Sequence, residues 1–206
     1  MRVHRIIAAL LAGAIGALAM APGASAAPPE PEDLNPPPPD FVVCKPLGAG
    51  TICTGSFQEV KVSEPQPELV CGSGIDAFVI HDNAVLDARL TLRYNADGDI
   101  IKAVEQERWH SAFWSNPLSG KTVPYTQTDN ITTVFAVPGD FDSASQTIVG
   151  ENIYTDPVTH KKVLASTGRV VFGADGSLFR AGKQPFIDAF VDGDMSVFDA
   201  VCAALA

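Results

Sequence analysis

The sequence is poor in basic residues and in aromatic residues. Its 206 residues contain 14 lysines and arginines against 24 aspartates and glutamates, and 8% of them are aromatic. A net charge of −10 repels phosphate backbones, and no basic stretch is interleaved with aromatic residues. The composition therefore predicts no nucleic-acid partner, and it argues against binding to anionic lipid.

The common signatures of catalytic, cofactor and metal sites are also missing. The sequence contains no Gly-x-Ser-x-Gly elbow, no His-Glu-x-x-His motif and no phosphate-binding glycine loop. It lacks a Cys-x-x-Cys pair, which disfavours zinc, and the loop with Asn95, Asp97 and Asp99 lacks the closing glutamate of a calcium loop. We therefore predict no cofactor, no metal and no catalytic residue, and we favour a non-enzymatic role.

Long apolar runs are confined to the N-terminus. Arg2 and Arg5 precede an apolar core at 6–20, and Ala24-Ser25-Ala26 is a small-residue cleavage site. This pattern predicts a secretory signal peptide over residues 1–26, with a membrane anchor as the alternative. Cleavage removes two of the 14 basic residues and none of the 24 acidic ones, which leaves a secreted, extracellular chain with a net charge of −12.

A proline-rich segment follows the predicted signal. Residues 27–40 read APPEPEDLNPPPPD, which cannot form a helix interior and offers little to bury. We interpret this segment as an extended, disordered spacer, with a ligand for a proline-recognition domain as the alternative. Residues 41–206 are predicted to form a single disulfide-stapled β domain.

Cysteine usage fits an exported chain. Cys44, Cys53, Cys71 and Cys202 are an even set, which indicates two disulfides. Four cysteines allow three pairings, and the sequence alone does not select one. We favour Cys44 with Cys53, because the turn at 47–50 brings their flanks together, and hence Cys71 with Cys202.

Turns rich in Gly, Asn, Asp and Pro recur between residues 84 and 180. They lie at 95–98, 116–120, 138–140, 156–159 and 173–176. Their spacing of roughly 16 to 22 residues exceeds the roughly 8 to 12 typical of β-sandwiches and leaves room for long antiparallel strands. This spacing favours an up-and-down β-barrel or a strongly curled meander sheet.

Period-two alternation locates individual strands. It is clearest at 86–94, and further strands are predicted at 99–115, 122–137, 146–154 and 162–172. Earlier strands are predicted at 51–62, ended by the prolines at 64–67, and at 75–81. His81 and Asp82 come at the end of that strand, where a turn is favoured over an acid–base pair.

The period changes at the end of the chain. Ser196 and Asp199 have the spacing of a capping box, and apolar residues follow at helical spacing. We predict a short C-terminal helix that is held in place through Cys202.

The strand at 99–115 carries the side chains best suited to catalysis or to ligand binding. Strict alternation places Glu105, Glu107 and Trp109 on one face and Trp114 on the other. Two carboxylates about 7 Å apart beside a tryptophan are compatible with a sugar cleft, and equally with a solvated strand. We favour the solvated strand.

The aromatic residues of this hairpin are our candidates for ligand binding. Tyr94, Trp109 and Phe113 are predicted to contact a ligand inside the curled sheet, because barrel interiors enclose small apolar molecules.

Several features together resemble a known group of proteins. The shared features are the export signal, the leading cysteine pair, the hairpin at 94–98, the Asn116-Pro117-x-x-Gly120-Lys121 turn and the terminal Cys202-Ala203-Ala204-Leu205. In these the chain resembles small secreted β-rich proteins of actinobacteria, over most of its mature length. The resemblance implies an exported β-rich protein and carries over no active-site residue.

Three functions remain open at this point. The first is a secreted, non-enzymatic β-barrel-like module that binds a small apolar ligand. The second is an extracellular or cell-envelope interaction protein with a filled core. The third is a secreted enzyme, either a hydrolase that uses Glu105 and Glu107 or a barrel cyclase-like catalyst.

Overall fold

The computed structural model describes residues 29–206, so the predicted signal peptide lies outside the described residues. These residues form one antiparallel sheet of eight strands in sequence order, followed by two short helices. The strands are β1 (Val42–Leu47), β2 (Gly50–Cys71), β3 (Phe78–Tyr94), β4 (Ile100–Ser115), β5 (Thr122–Phe135), β6 (Ala144–Thr155), β7 (Lys162–Phe172) and β8 (Leu178–Lys183). The helices are α1 (Pro185–Asp192) and α2 (Asp199–Leu205). The prediction of a mainly β, antiparallel fold is confirmed.

The sheet does not close into a barrel. Within the described residues each strand pairs with its sequence neighbours, and β1 does not pair with β8. Both edge strands have 6 residues, and they cover only 50–55 of β2 and 167–172 of β7. The predicted closed barrel is not supported, because the two edge strands are too short to bridge the long strands that they flank.

The second and third strands are longer than the sequence predicts. The prolines at 64–67 do not end β2, which continues to Cys71 through two register shifts. Proline is tolerated there because β1 pairs only with 50–55, so the outer edge of β2 needs no N–H donors. β3 likewise runs through His81 and Asp82, which project to opposite faces and do not form the acid–base pair considered above.

A bulge in β4 reverses the predicted alternation. The register shifts just after Trp109, where Ser111 has a φ of 50°. Trp114 pairs with Asp82, and Trp109 pairs with Leu86, so both tryptophans lie on the face that β3 buries. The prediction that Trp114 lies on the other face is therefore wrong, because one extra residue in the strand inverts the period.

The buried face of the sheet carries two apolar cores with polar residues between them. The larger core packs against the helices and includes Leu69, Phe78, Ile80, Trp114, Val123, Tyr125, Tyr154, Leu164, Phe198, Val201 and Leu205. The smaller core includes Leu34, Cys53, Leu92, Tyr94, Ile100 and Phe135. Between the two cores, β4 to β6 turn polar side chains to the same face.

Part of the predicted spacer folds onto the sheet. Leu34 is 3% exposed in the smaller core, and Asn35 forms a bridge with Asp99. The Tyr94 hydroxyl donates to the carbonyl oxygen of Pro36 over 3.0 Å. The spacer was predicted from composition alone, and composition does not reveal that one residue, Leu34, packs into the smaller core.

Both favoured disulfides are present. Cys44 and Cys53 face each other across β1 and β2, and Cys71 at the end of β2 bonds to Cys202 in α2. The second bond ties the C-terminal helix to the long strand at the open side of the sheet.

The two helices begin and end with local signals. α1 starts with a proline and ends at Gly193, which has a φ of 79°. The predicted capping box of Ser196 and Asp199 is not formed; the Asp194 carboxylate instead accepts the Ser196 backbone N–H over 3.2 Å. Neither helix, nor any other among residues 29–206, has the length and apolar character of a membrane span.

Candidate functional site

A cleft of about 380 Å³ opens on the buried face beside the larger core. Its lining residues come from all strands between β2 and β7 and from α1. In a flat sheet β2 and β7 would lie about 24 Å apart, at roughly 4.8 Å per strand, so this face of the sheet is strongly concave. The volume falls within the range of small-molecule sites.

Aromatic side chains form one wall of the cleft. They are Trp109, Trp114, Tyr125, Tyr154, Phe186 and Phe190. The ring of Trp114 is central, with centroids 4.3 Å from Tyr154 and 6.1 Å from Phe186. Phe190 is 42% exposed and marks the rim on the side of α1. This aromatic wall offers an apolar surface to a ligand.

A chain of polar side chains adjoins the aromatic wall on the inward positions of β5 and β6. The Gln127 side-chain amide donates to Asp129 Oδ2 over 2.6 Å, and the Asn152 amide donates to Gln127 Oε1 over 3.1 Å. Gln127 and Asn152 meet because they are register partners in β5 and β6. Each amide in this polar chain donates one N–H toward the Asp129 end, and the Asn152 amide also donates to the Tyr154 hydroxyl over 3.3 Å.

Asn152 Oδ1 ends the polar chain as an unused acceptor. The atom is buried, and no described residue donates a hydrogen bond to it. Buried polar atoms are normally satisfied, and an unsatisfied one costs about 1–3 kcal/mol. The unpaired Asn152 Oδ1 is therefore a local cost to stability.

Lys61 is the only cation among the residues that line the cleft. Its Nζ lies 3.7 Å from Asp82, 3.9 Å from Glu64 and 4.7 Å from the centroid of the Trp109 ring. The Tyr125 hydroxyl donates to Asp82 over 2.9 Å. Burial raises the pKa of Asp82, and the Tyr125 hydrogen bond and Lys61 oppose that rise. The positive charge of Lys61 is thus already paired with two carboxylates and the Trp109 ring of the protein itself.

Carboxylates crowd the middle of the concave face. Glu107 is the register partner of Asp129, and Glu105 lies two residues away on the same face. Burial raises the pKa of all three groups; Glu107 raises that of Glu105 further, and Asp129 adds to the rise at Glu107. The Trp109 indole N–H donates to Glu107 over 3.0 Å. Of the three carboxylates, Asp129 lines the cleft.

Glycine makes room for the Asp129 carboxylate. Gly150 is its register partner in β6, and a Cβ at this position would collide with Asp129 Oδ1 and lie 2.5 Å from the Thr128 carbonyl oxygen. Gly150 pairs in turn with Gly168 of β7, which has a φ of 131°. The two glycines thus make room for the Asp129 carboxylate and for the Gln184 amide nitrogen, which lies beside Gly168.

The structure separates the three predicted ligand-binding residues. Trp109 lines the cleft. Tyr94 is buried in the smaller core, where burial raises its pKa to about 12. Phe113 pairs with Asn83, which lies on the opposite face of the sheet. Only Trp109 is placed where it can contact a ligand in this cleft.

The histidines of β3 and β4 lie away from the cleft. His81 Nδ1 is 2.8 Å from Ser63 Oγ, and His110 Nε2 is 2.9 Å from Asp87 Oδ2, both on the convex face. Among residues 29–206, no group of three or more His, Cys, Asp or Glu side chains is arranged to hold a metal ion.

Sequence reasoning missed the polar chain. Gln127 and Asp129 were assigned only to a generic strand, and Asn152 to the next one. A signal was present, because the inward positions of β5 change from apolar (Val123, Tyr125) to polar (Gln127, Asp129) within one strand.

Comparison with protein-family models, with curated proteins and with solved structures finds no match to this chain. The resemblance to small secreted actinobacterial proteins therefore stays an expectation, and the functional conclusion depends on the cleft.

Proposed function

We propose that this chain is an exported, non-enzymatic module that binds one small molecule in the concave cleft. The observation that carries the proposal is the concave cleft itself, in which an aromatic wall adjoins the polar side chains of Gln127, Asp129 and Asn152. An aromatic surface beside a few placed polar groups is the lining that small-molecule sites use.

The lining supports an amphipathic ligand. The aromatic wall suits the apolar body that the sequence predicts, while Asp129, Gln127 and Asn152 require a polar end. Clefts of this kind, mostly apolar with a few placed polar groups, are typical of small-molecule sites. The predicted signal peptide and the two disulfides support export as the setting.

Native mass spectrometry tests this function. The mature chain, exported from a bacterial host and incubated with the spent medium, should carry an added mass that is lost on denaturation. Asn152→Leu should remove the added mass, because it deletes a polar side chain of the lining and the hydrogen bond that holds Gln127. Asn130→Leu, an exposed change on the opposite face of β5, should keep it. A bare native mass for the unaltered chain would contradict the proposal.

A hydrolase that uses Glu105 and Glu107 is the second candidate. Burial raises the pKa of both carboxyls, as a general acid requires. Loss of turnover of chromogenic glycosides in Glu105→Gln and Glu107→Gln would support this candidate, and the absence of turnover in the unaltered chain would reject it.

A further inference from the structure

The polar end of the cleft holds a carboxylate oxygen that is not paired by any described residue. The Gln127 amide donates to Asp129 Oδ2, while Asp129 Oδ1 lies over Gly150 without a donor. A ligand group that pairs with Asp129 Oδ1 must therefore be a hydrogen-bond donor.

The negative charge at this end is not neutralised by the cleft itself. Glu107 lies directly across from Asp129, and like charges in this position destabilise a sheet. Lys61, the one cation of the lining, is held between Asp82 and the Trp109 ring. Asp129 adds to the rise that burial causes in the pKa of Glu107, which reports the repulsion between the two carboxylates. A positive charge brought by a ligand would relieve the repulsion.

An ammonium group fits these two requirements better than the other common polar groups. It has three donors, no acceptor and a full positive charge. A hydroxyl group donates one hydrogen bond but leaves the carboxylates uncompensated, and a carboxylate ligand is repelled. A mature net charge of −12 also attracts cations from solution.

We propose, resting on the ligand-binding function above, that the ligand is an organic amine whose ammonium group binds at Asp129 while its apolar body lies against Trp109 and Trp114. The ammonium donates to Asp129 Oδ1, which lies over Gly150. The amine is bound as a reversible, non-covalent ligand.

Three probes with one apolar body test the charge of the ligand. Tryptamine, tryptophol and indole-3-propionate share the indole ring and end in an ammonium, a hydroxyl and a carboxylate. Each is titrated by calorimetry into the mature chain at pH 7 and low salt. Tryptamine should bind at least tenfold more tightly than tryptophol, and indole-3-propionate should bind most weakly.

A matched pair of variants tests the location. Asp129→Asn keeps the size of the side chain and its acceptor for Gln127, so the chain should stay folded, as near-UV circular dichroism would verify. It should weaken the binding of tryptamine at least fivefold and change the affinity for tryptophol less than twofold. Asp76→Asn, an exposed change outside the cleft, should change neither affinity.

The outcomes separate this inference from the function on which it rests. Equal affinity for tryptamine and tryptophol, or tighter binding of indole-3-propionate, overturns the amine assignment and leaves a ligand-binding cleft. Tight tryptamine binding that Asp129→Asn does not weaken overturns the proposed location. Binding of none of the three probes overturns the amine assignment, while the proposed function is decided separately by the added mass in native mass spectrometry.

Discussion

The Asp129 carboxylate is held in place at a cost to stability. Its register partner Glu107 repels it, and burial raises the pKa of both groups. A folded state with a raised carboxyl pKa holds its proton more tightly than the unfolded state does, so stability falls as the pH rises from the ordinary pKa through the raised one. At neutral pH the free chain therefore carries a stability penalty at this site.

Asp129→Asn should accordingly stabilise the free chain. We expect the free energy of unfolding in urea to rise by about 0.2–1 kcal/mol at pH 7, because the like-charge pair is removed. The gain should disappear at a pH below about 3.9, the ordinary pKa of aspartate, where both forms are neutral.

Asp175→Asn is the control of opposite sign. The Ser177 side chain and backbone N–H lower the pKa of the Asp175 carboxyl, so this variant should destabilise the chain at pH 7 and lose its effect at low pH. A loss of stability in Asp129→Asn at pH 7 would contradict the account of the buried charge.

The buried hydrogen bond between Tyr125 and Asp82 gives a second prediction. Tyr125→Phe removes a donor to a largely buried carboxylate, and bonds to charged groups contribute about 1.5–3 kcal/mol. Tyr94→Phe removes a bond to the neutral carbonyl of Pro36 and should cost about 0.5–1.5 kcal/mol. Equal costs in urea unfolding would show that the Asp82 network does not stabilise the cleft.

At the residue scale, the sequence predicts the chemistry of a side chain and the face that it occupies, but not the side chains that it contacts. Trp109 could be placed on an inward position from alternation alone. The contact between Gln127 and Asn152 depends on the register of β5 against β6, and no local pattern encodes that register. The polar chain was therefore beyond sequence reasoning, although its residues stand at inward positions.

At the element scale, a strand with uninterrupted alternation was the easiest to predict. β7 was predicted at 162–172 with the bounds that the structure has. The end of β2 was predicted wrongly, and so was the alternation of β4, although its predicted bounds of 99–115 agree with the structure. The prolines of β2 are compatible with a strand only because β1 is short, and the bulge at Ser111 leaves no mark in composition.

The two disulfides should contribute unequally to stability. Cys71 and Cys202 are 131 residues apart in sequence, and Cys44 and Cys53 are 9 apart. Loop-closure entropy predicts about 5 kcal/mol for the long link and about 2.6 kcal/mol for the short one. The long link also holds α2 against the larger core.

The measurement compares two double variants in urea unfolding. Cys71→Ser with Cys202→Ser should lose roughly twice as much unfolding free energy as Cys44→Ser with Cys53→Ser. Equal losses in the two double variants would contradict the dependence of stability on loop length.

At the scale of the whole molecule, the spacing of the turns was sufficient to predict an antiparallel fold with long strands. It was not sufficient to predict whether the sheet closes into a barrel. Widely spaced turns require long antiparallel strands, and the meander follows from them. Closure depends on whether the first and last strands reach each other, and both are too short to cover their neighbours. The open side is instead occupied by α1 and by α2, which Cys202 ties to β2.

The central claim is that a small molecule binds in the concave cleft, and nuclear magnetic resonance tests it most directly. The nitrogen-labelled mature chain is titrated with tryptamine while the indole N–H of Trp109 and the side-chain amides of Gln127 and Asn152 are followed. We predict that these three signals shift together and saturate, while the side-chain amide of Gln58, which donates to Asp87 on the convex face, stays in place. The account is contradicted if the three cleft signals do not shift, or if only the Gln58 signal shifts.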